Sequence, residues 1–596
     1  MEKQKNERKR RWGSRALFCV LCILAAGNSN GAELDENPDF LPMYRLNFAP
    51  NHEARTPELN IVYLPDVLTS SKENATFSCS HGFAWESDTR IPLILYGKGV
   101  RKGFVSDGQA SNEDIVPTLA KILDTAVPDE ATGTVLSDAL AGSLPWTKRI
   151  KNNCSPGQPR VALVFTLDQA RADYFTNPQM SAAWQFTSKE LIEKGTYYSE
   201  ARLSYAGSRT AVSHTVVGTG TTPGVHGIVG NNIKLGDSFP LAFNDEPRHS
   251  MNMFNLTVPS YADVMDLEKD NKPVIISMSP YGRAALAMGG HGAAFSDESD
   301  NDIVVQLLMD TGLPYTNDEY FHLPETLLQD ANDTAIRIDQ WLLNNYGIDI
   351  HNDKWTEGMI VTDNSPYAVP NDNVITGPQG SFPDGTTFSF SHDSVTPEKT
   401  APTSEYQLWN ENEAFPSNSY FSETMNTPFY QLWAVDMLLK TIESEGVGMD
   451  NIADLVFFNF KCLDKVGHKY GVNSPEIYTY MYYTDYCLMK IKYWLDKNVG
   501  RSNYLMVVTA DHGAHNAYEG RILYQNDLFD AIETAFGENV VLNDPNEGMP
   551  FDDMIYLDQE ILDEGGVTQA DVALFVEENF SEYVYKVYTK DEIFSE

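Results

Sequence analysis

Runs of consecutive apolar, β-prone residues recur along this sequence, and amphipathic segments separate them. The clearest are Val161-Ala-Leu-Val-Phe-Thr-Leu167, Asp454-Leu-Val-Phe-Phe-Asn-Phe460 and Tyr504-Leu-Met-Val-Val-Thr-Ala510. Runs without polar alternation mark strands buried on both faces. Their alternation with amphipathic segments predicts an α/β fold, a mostly parallel sheet with helices on both faces. Pro273–Ile276 is also strand-like, and Ala284–His291 is small and apolar enough to pack against the core. From 295 to 450 the chain turns polar, rich in Asn, Asp, Pro and Ser, and Asp363–Thr403 reads as loop.

What stands just beyond these strands is more informative than the strands themselves. The first is followed by Asp168, the second leads through Lys461 to Asp464 and His468, and the third delivers Asp511 and His512. A single Asp after a strand is an ordinary helix cap or turn residue, and a lone His is ordinarily a hydrogen-bonded side chain. Ligands of open α/β sheets bind beyond the carboxyl ends of the strands. Three strand ends that each carry metal-type ligands therefore point into one site.

Composition narrows the setting. Forty-three Lys and Arg against 84 Asp and Glu give a formal net charge of -41, which disfavours nucleic acid and anionic membranes as partners. Phosphate esters are repelled at long range too, so a site for them needs strong local positive charge. A basic stretch, Lys3–Arg11, precedes the apolar run Ala16–Ala26 and small or polar residues to Ala32. That order reads as a secretory signal peptide over 1–32. The run is shorter than the ~20 residues of a spanning helix, so no stable membrane insertion is expected. Cys79, Cys154, Cys462 and Cys487 would remain after cleavage and make one or two disulfides plausible. Glycosylation sequons begin at Asn74, Asn153, Asn255, Asn332 and Asn579.

Between the first and second ligand-bearing strands lies Ser208-Arg-Thr-Ala-Val-Ser-His214, then Gly218-Thr-Gly-Thr-Thr-Pro-Gly-Val-His-Gly-Ile-Val-Gly-Asn231. This segment resembles the nucleophile region of the alkaline phosphatase superfamily, in its threonine-nucleophile branch of bacterial alkaline phosphatases and nucleotide pyrophosphatase/phosphodiesterases. Asp464-Lys-Val-Gly-His-Lys-Tyr-Gly471, Thr509-Ala-Asp-His-Gly-Ala514 and Asp168-Gln-Ala-Arg-Ala-Asp173 resemble further motifs of that branch. The resemblance implies Thr210 as nucleophile. It implies one metal held by Asp168, Asp511, His512 and the Thr210 oxygen, and a second held by Asp464, His468 and one further histidine. In the family that histidine follows the Asp-His-Gly motif at a distance; here only His515 follows His512, and it is too close.

A match stands at the front of the chain instead. Ser80-His81-Gly-Phe-Ala-Trp-Glu-Ser-Asp88 with the apolar run ending at Gly97 resembles the family's late His-Gly element, and Asn112–Leu123 resembles the helix that closes its domain. Residues 41–145 are therefore expected to be the usual C-terminal piece moved forward, a circular permutation. Residues 146–159 would be the linker, 160–294 and 451–596 the catalytic core, and 295–450 an inserted cap. His81 becomes the third ligand of the second metal.

In this reading, the carboxylates of Asp168, Asp464 and Asp511 with a Thr210 alkoxide are balanced by two divalent cations. N and O donors without thiolate suit two zinc ions, though other divalent metals fit as well. Paired metals hold the attacking and leaving oxygens of an in-line displacement. Asn231 matches the family's amide donor to the substrate, and Arg283 matches its phosphate-clamp arginine. Tyr281 departs from the pattern, standing where the phosphatases have Lys; it brings a hydrogen bond but no charge. The expected activity is phosphomonoester hydrolysis on a small phosphate-ester substrate, with phosphodiesterase or nucleotide pyrophosphatase activity as the alternative. An inactive extracellular binding protein is the reading from another class, and the filled ligand positions weigh against it. The sequence specifies no oligomeric state.

Overall fold

The structure, a computed structural model, describes residues 38–65, 67–70, 79–141, 158–178, 180–243, 251–295, 302–307, 314–327, 428–473, 475–516, 521–543 and 553–595. It also gives the backbone of short strands at 354–355, 379–381, 387–389 and 406–407. The expected signal peptide, Cys154, most of the expected linker and the sequons at Asn74, Asn153 and Asn332 lie outside the described residues.

A nine-stranded sheet organises the molecule. In chain order its strands are β1 (Leu93–Gly97), β2 (Phe104–Ser106), β3 (Val161–Leu167), β4 (Thr196–Tyr198), β5 (Ile275–Ser279), β6 (Ile303–Leu307), β7 (Pro314–Tyr315), β8 (Asp454–Phe460) and β9 (Tyr504–Thr509). Across the sheet the order is β7-β6-β5-β8-β3-β9-β1-β4-β2. The block β6-β5-β8-β3-β9 is parallel, whereas β1 is antiparallel to both of its neighbours, β9 and β4. Every residue of β3, β8 and β9 is buried, as their unbroken apolar pattern requires. Both faces of the sheet are covered: on β6, Ile303 and Val305 join one apolar cluster while Val304 joins another.

The interval 295–450 is not all cap. Strands β6 and β7 belong to the main sheet, and Tyr430, Trp433 and Leu438 of the helix Pro428–Ser444 are buried in the main core. The loop expected over 363–403 contains two antiparallel strands, Gln379–Ser381 paired with Thr387–Ser389. Cys79, Cys462 and Cys487 are buried and free, so no disulfide joins the described cysteines.

The front segment is built into this frame. Strand β1 lies inside the sheet against β9, and Cys79–Ser80 pairs with His515–Asn516 just after the Asp-His-Gly motif. Leu59–Tyr63 is the central strand of a small antiparallel sheet whose outer strands, Met554–Ile555 and Val584–Thr589, come from the end of the chain. The helix Leu41–Asn47 meets the last helix, Lys590–Phe594. There Arg45 donates to the carbonyls of Ile593 (3.2 Å) and Ser595 (2.6 Å). The two described ends of the chain are thus neighbours. Among the described residues no helix is long and apolar enough to cross a membrane.

Candidate active site

Sheet register brings the ligands abreast. Leu167 of β3 pairs with Phe460 of β8, so the next residues, Asp168 and Lys461, emerge side by side. Thr166 pairs with Thr509 of β9, which sets Asp511 level with Asp168. Asp464 and His468 then lie one turn apart on the helix Cys462–Tyr470. Thr210 opens the buried helix Thr210–Thr219, whose N-terminal dipole end favours negative charge at that position. Arg209, just before it, is pinned by a buried ion pair with Asp553.

Three histidines are aimed by backbone carbonyls. Nδ1 of His81 is 3.1 Å from Ser208 O, that of His468 is 2.9 Å from Cys79 O, and that of His512 is 2.9 Å from Gly513 O. Each contact fixes the ring and leaves Nε2 for the site. His468 Nε2 lies 3.1 Å and His81 Nε2 3.4 Å from the same oxygen, Asp464 Oδ1. One ligand atom from each of these three residues lies within 4.8 Å of the others. His512 Nε2 is 3.2 Å from Asp511 Oδ2 and 3.8 Å from Asp168 Oδ1, and its ring stacks on His81 at 3.7 Å between centroids. Asp168, Asp464 and His512 form a second such group, and Asp168, His214 and Asp511 a third.

Side chains given no role in the sequence reading share this space. Lys461 Nζ is 2.9 Å from Asp168 Oδ1, 2.8 Å from Asp464 Oδ2 and 3.2 Å from Thr210 Oγ1. Nδ1 of His214 lies 2.8 Å from Thr210 O and 3.4 Å from Asp511 Oδ2. Asn459 donates to Asp168 Oδ2 at 3.1 Å, and the Gln169 side chain donates to Asp464 Oδ1 at 3.2 Å. Only the strand-end position of Lys461 could have signalled it, and a strand-end Lys is normally a solvated residue. His515 is structural, held between Asp88 (2.9 Å) and Val67 O (3.1 Å).

Charge and burial set the protonation states. Burial raises the Asp168 and Asp464 carboxyls, but the Lys461 ammonium together with the histidines around them outweighs it and holds both below the ordinary carboxylate range. Asp511 is pushed well up by burial and by Asp168 beside it. His81 is held down to about 4 by burial and the adjacent His512, which keeps its ring neutral and available as a ligand. His468 is raised well above its ordinary value because Asp464 overcomes the burial effect.

The substrate-facing candidates lie on neighbouring elements. Asn231 Oδ1 accepts from the Ala211 N–H at 3.0 Å, which leaves its NH2 as the end that can donate to a ligand. Arg283, in the first turn of the helix Gly282–Gly289, places Cζ 4.4 Å from the Tyr281 ring centroid. Lys461 and Lys465 each bring Nζ within 5.2 Å of the same ring.

The donor set fits divalent cations. It offers carboxylate oxygens and imidazole nitrogens without thiolate, and two of its buried atoms, Asp511 Oδ2 and His512 Nε2, take no hydrogen bond.

A family model described as type I phosphodiesterase / nucleotide pyrophosphatase matches residues 162–262 and 331–595. Alkaline phosphatase PafA of Elizabethkingia meningoseptica is 24% identical over 384 residues, 61% of this chain and 61% of that protein. Alkaline phosphatase PhoV of Synechococcus elongatus is 24% identical over 378 residues, 60% and 59% of the two chains. The chain thus matches about three fifths of the length of these curated relatives. The crystal structure of wild-type PafA covers 72% of this chain and 78% of its own at 18% identity, with a TM-score of 0.49.

Proposed function

The chain belongs to the type I phosphodiesterase / nucleotide pyrophosphatase family, and from that premise we propose that it is a secreted, divalent-metal-dependent hydrolase of small phosphate monoesters. The reaction would pass through a phospho-threonine at Thr210. The observation that carries the proposal is the convergence on Thr210: its hydroxyl opens a buried helix and meets Lys461 at 3.2 Å, beside Asp168 and Asp464.

Asp168, Asp511, His512 and Thr210 would hold one cation and Asp464, His468 and His81 the other, zinc being the ion that the donors suit best. When bound, such cations supply Lewis-acid stabilisation of the attacking and leaving oxygens. The chain's own residues do the rest. Lys461 donates to Thr210 Oγ1 before a cation takes that place, which keeps positive charge beside the oxygen that becomes the nucleophile. The Thr210 hydroxyl loses its proton to solvent, and its oxygen attacks phosphorus as the bond to the leaving alkoxide breaks. The alkoxide takes a proton from water, and a second water cleaves the phospho-threonine to free phosphate and the restored hydroxyl. Asn231 NH2 and the Arg283 guanidinium are the donors for the non-bridging oxygens.

Two observations favour diester hydrolysis as the second reading: the family description itself, and the uncharged Tyr281 beside Arg283. Trapping at acid pH followed by peptide mass spectrometry should find the phosphate on Thr210, and its absence there would sink the covalent route. Comparing an aryl phosphate monoester with its diester separates the readings. Arg283→Ala should lower monoester turnover far more than diester turnover if the monoester is the substrate, and both alike if it is not.

The arrangement also supports a circularly permuted domain. Residues 41–141 supply His81 and strand β1, and the helix Leu41–Asn47 meets the last helix through Arg45.

A further inference from the structure

The two cation positions are not equally prepared. At Asp464, His468 and His81 the shared oxygen, Oδ1, faces both imidazoles at 3.1 and 3.4 Å, while Lys461 is bound to the other oxygen, Oδ2. That position also opens towards solvent, with the His468 side chain 25% and the His81 side chain 12% exposed. At the other position Lys461 bonds to Asp168 Oδ1 and Thr210 Oγ1, two of the four atoms a cation there would need. The remaining two, Asp511 and His512, are fully buried, and His214 stands 3.4 Å from Asp511.

We infer that Lys461 is a resident cation that makes the two positions unequal: a divalent ion enters Asp464–His468–His81 first and more tightly, and one entering Asp168–Thr210–Asp511–His512 must displace the ammonium. The inference rests on the metal-dependent reading above and adds the order and inequality of loading. Its physical basis is competition for the same lone pairs and repulsion between like charges in a buried site. Lys461 is 3% exposed, so its charge cannot relax into water without moving the chain around it. The nearest aromatic face is the Tyr281 ring, 5.2 Å from Nζ, already shared with Arg283 and Lys465.

The test is calorimetric titration of the chelator-stripped full chain with zinc alone. The wild type should show two binding events whose dissociation constants differ by at least about tenfold. His81→Ala should remove the tighter event and Asp511→Asn the weaker. Lys461→Met should draw the two together by about tenfold, whereas Lys461→Arg should keep them apart. Two equal events in the wild type, or loss of the tight event in Asp511→Asn, overturns the inference and leaves the function standing. Both of those measurements stand even if Lys461→Met fails to fold. A wild-type chain that takes up no zinc overturns both.

Discussion

Thr210 is held from both sides: Lys461 donates to its hydroxyl, and its carbonyl faces His214 inside the helix it begins. Thr210→Ala removes the attacking oxygen while leaving these neighbours in place. It should cut turnover by ~10³-fold or more without changing zinc uptake at Asp464, His468 and His81. Thr210→Ser keeps the oxygen and should retain most of the rate. Steady-state kinetics beside zinc titration checks both, and a Thr210→Ala enzyme of near-normal rate would remove Thr210 from the chemistry. Asp168, Asp511 and His512 are legible in the sequence because each stands within three residues of the end of a buried strand, and parallel register brings strand ends level. Lys461 occupies the same kind of position and went unread. Whether a strand-end lysine turns to solvent or into a ring of carboxylates is decided by packing around it, here by Asp168 and Asp464 at under 3 Å.

Among elements, the closest constraint on the nucleophile is helix against helix. Thr210–Thr219 lies so close to Gly282–Gly289 that a Cβ on Gly218 would meet Ala287 O at 2.2 Å and Met288 Cα at 2.8 Å. Both contacts are backbone and cannot swing aside. Gly218→Ala should destabilise the fold by about 1–3 kcal/mol and lower turnover, because separating the helices moves Thr210 and Arg283 apart. Thermal melting and kinetics on one preparation check this. The helix Pro475–Leu495 carries a pH-sensitive tie: Asp485, fully buried, accepts the N–H groups of Phe186 and Thr187, each at 2.7 Å. Burial pushes its carboxyl up to about 7. Folding therefore takes up a proton there. The stabilisation is complete below the unfolded value near 4 and is lost as pH rises through 7. Asp454, pushed up to about 6 by burial, acts in the same direction, so the signal has to be read as a difference. The melting temperature of the wild type minus that of Asp485→Asn should fall between pH 5 and 8, and parallel curves would refute it. Strand β6 and the helix Pro428–Ser444 lie in an interval whose composition as a whole is polar, which hides their apolar positions. Only pairing and burial give these positions away.

At the scale of the molecule, the front segment behaves as the missing edge of the site. It supplies His81, the strand beside β9 and the centre strand of the small sheet formed with the end of the chain. The His-Gly motif points to His81 and to the strand after it, whereas the strand Leu59–Tyr63 carries no such signal. The sequence could not tell how closely the ends meet, because it records no distance between residues at opposite ends of the chain. Tyr585 Oη donates to Pro38 O at 3.1 Å, the Phe40 N–H donates to Tyr588 Oη at 3.0 Å, and Arg45 reaches Ser595. A short flexible join from 595 to 38 therefore closes a small gap at little entropic cost. A chain running 158–595, then the join, then 38–141 would keep every strand pairing named above. It should melt within a few degrees of the wild type and bind zinc with the same two affinities. Deleting 38–141 without re-attaching it removes β1 and β2, leaves β9 with an unpaired edge in the core and β4 with no partner strand, and should yield no folded protein. A deletion variant that folds and keeps its activity would show that the front segment is an accessory. A rearranged chain that fails while the wild type folds would show that the order of the pieces, and not only their contacts, is required.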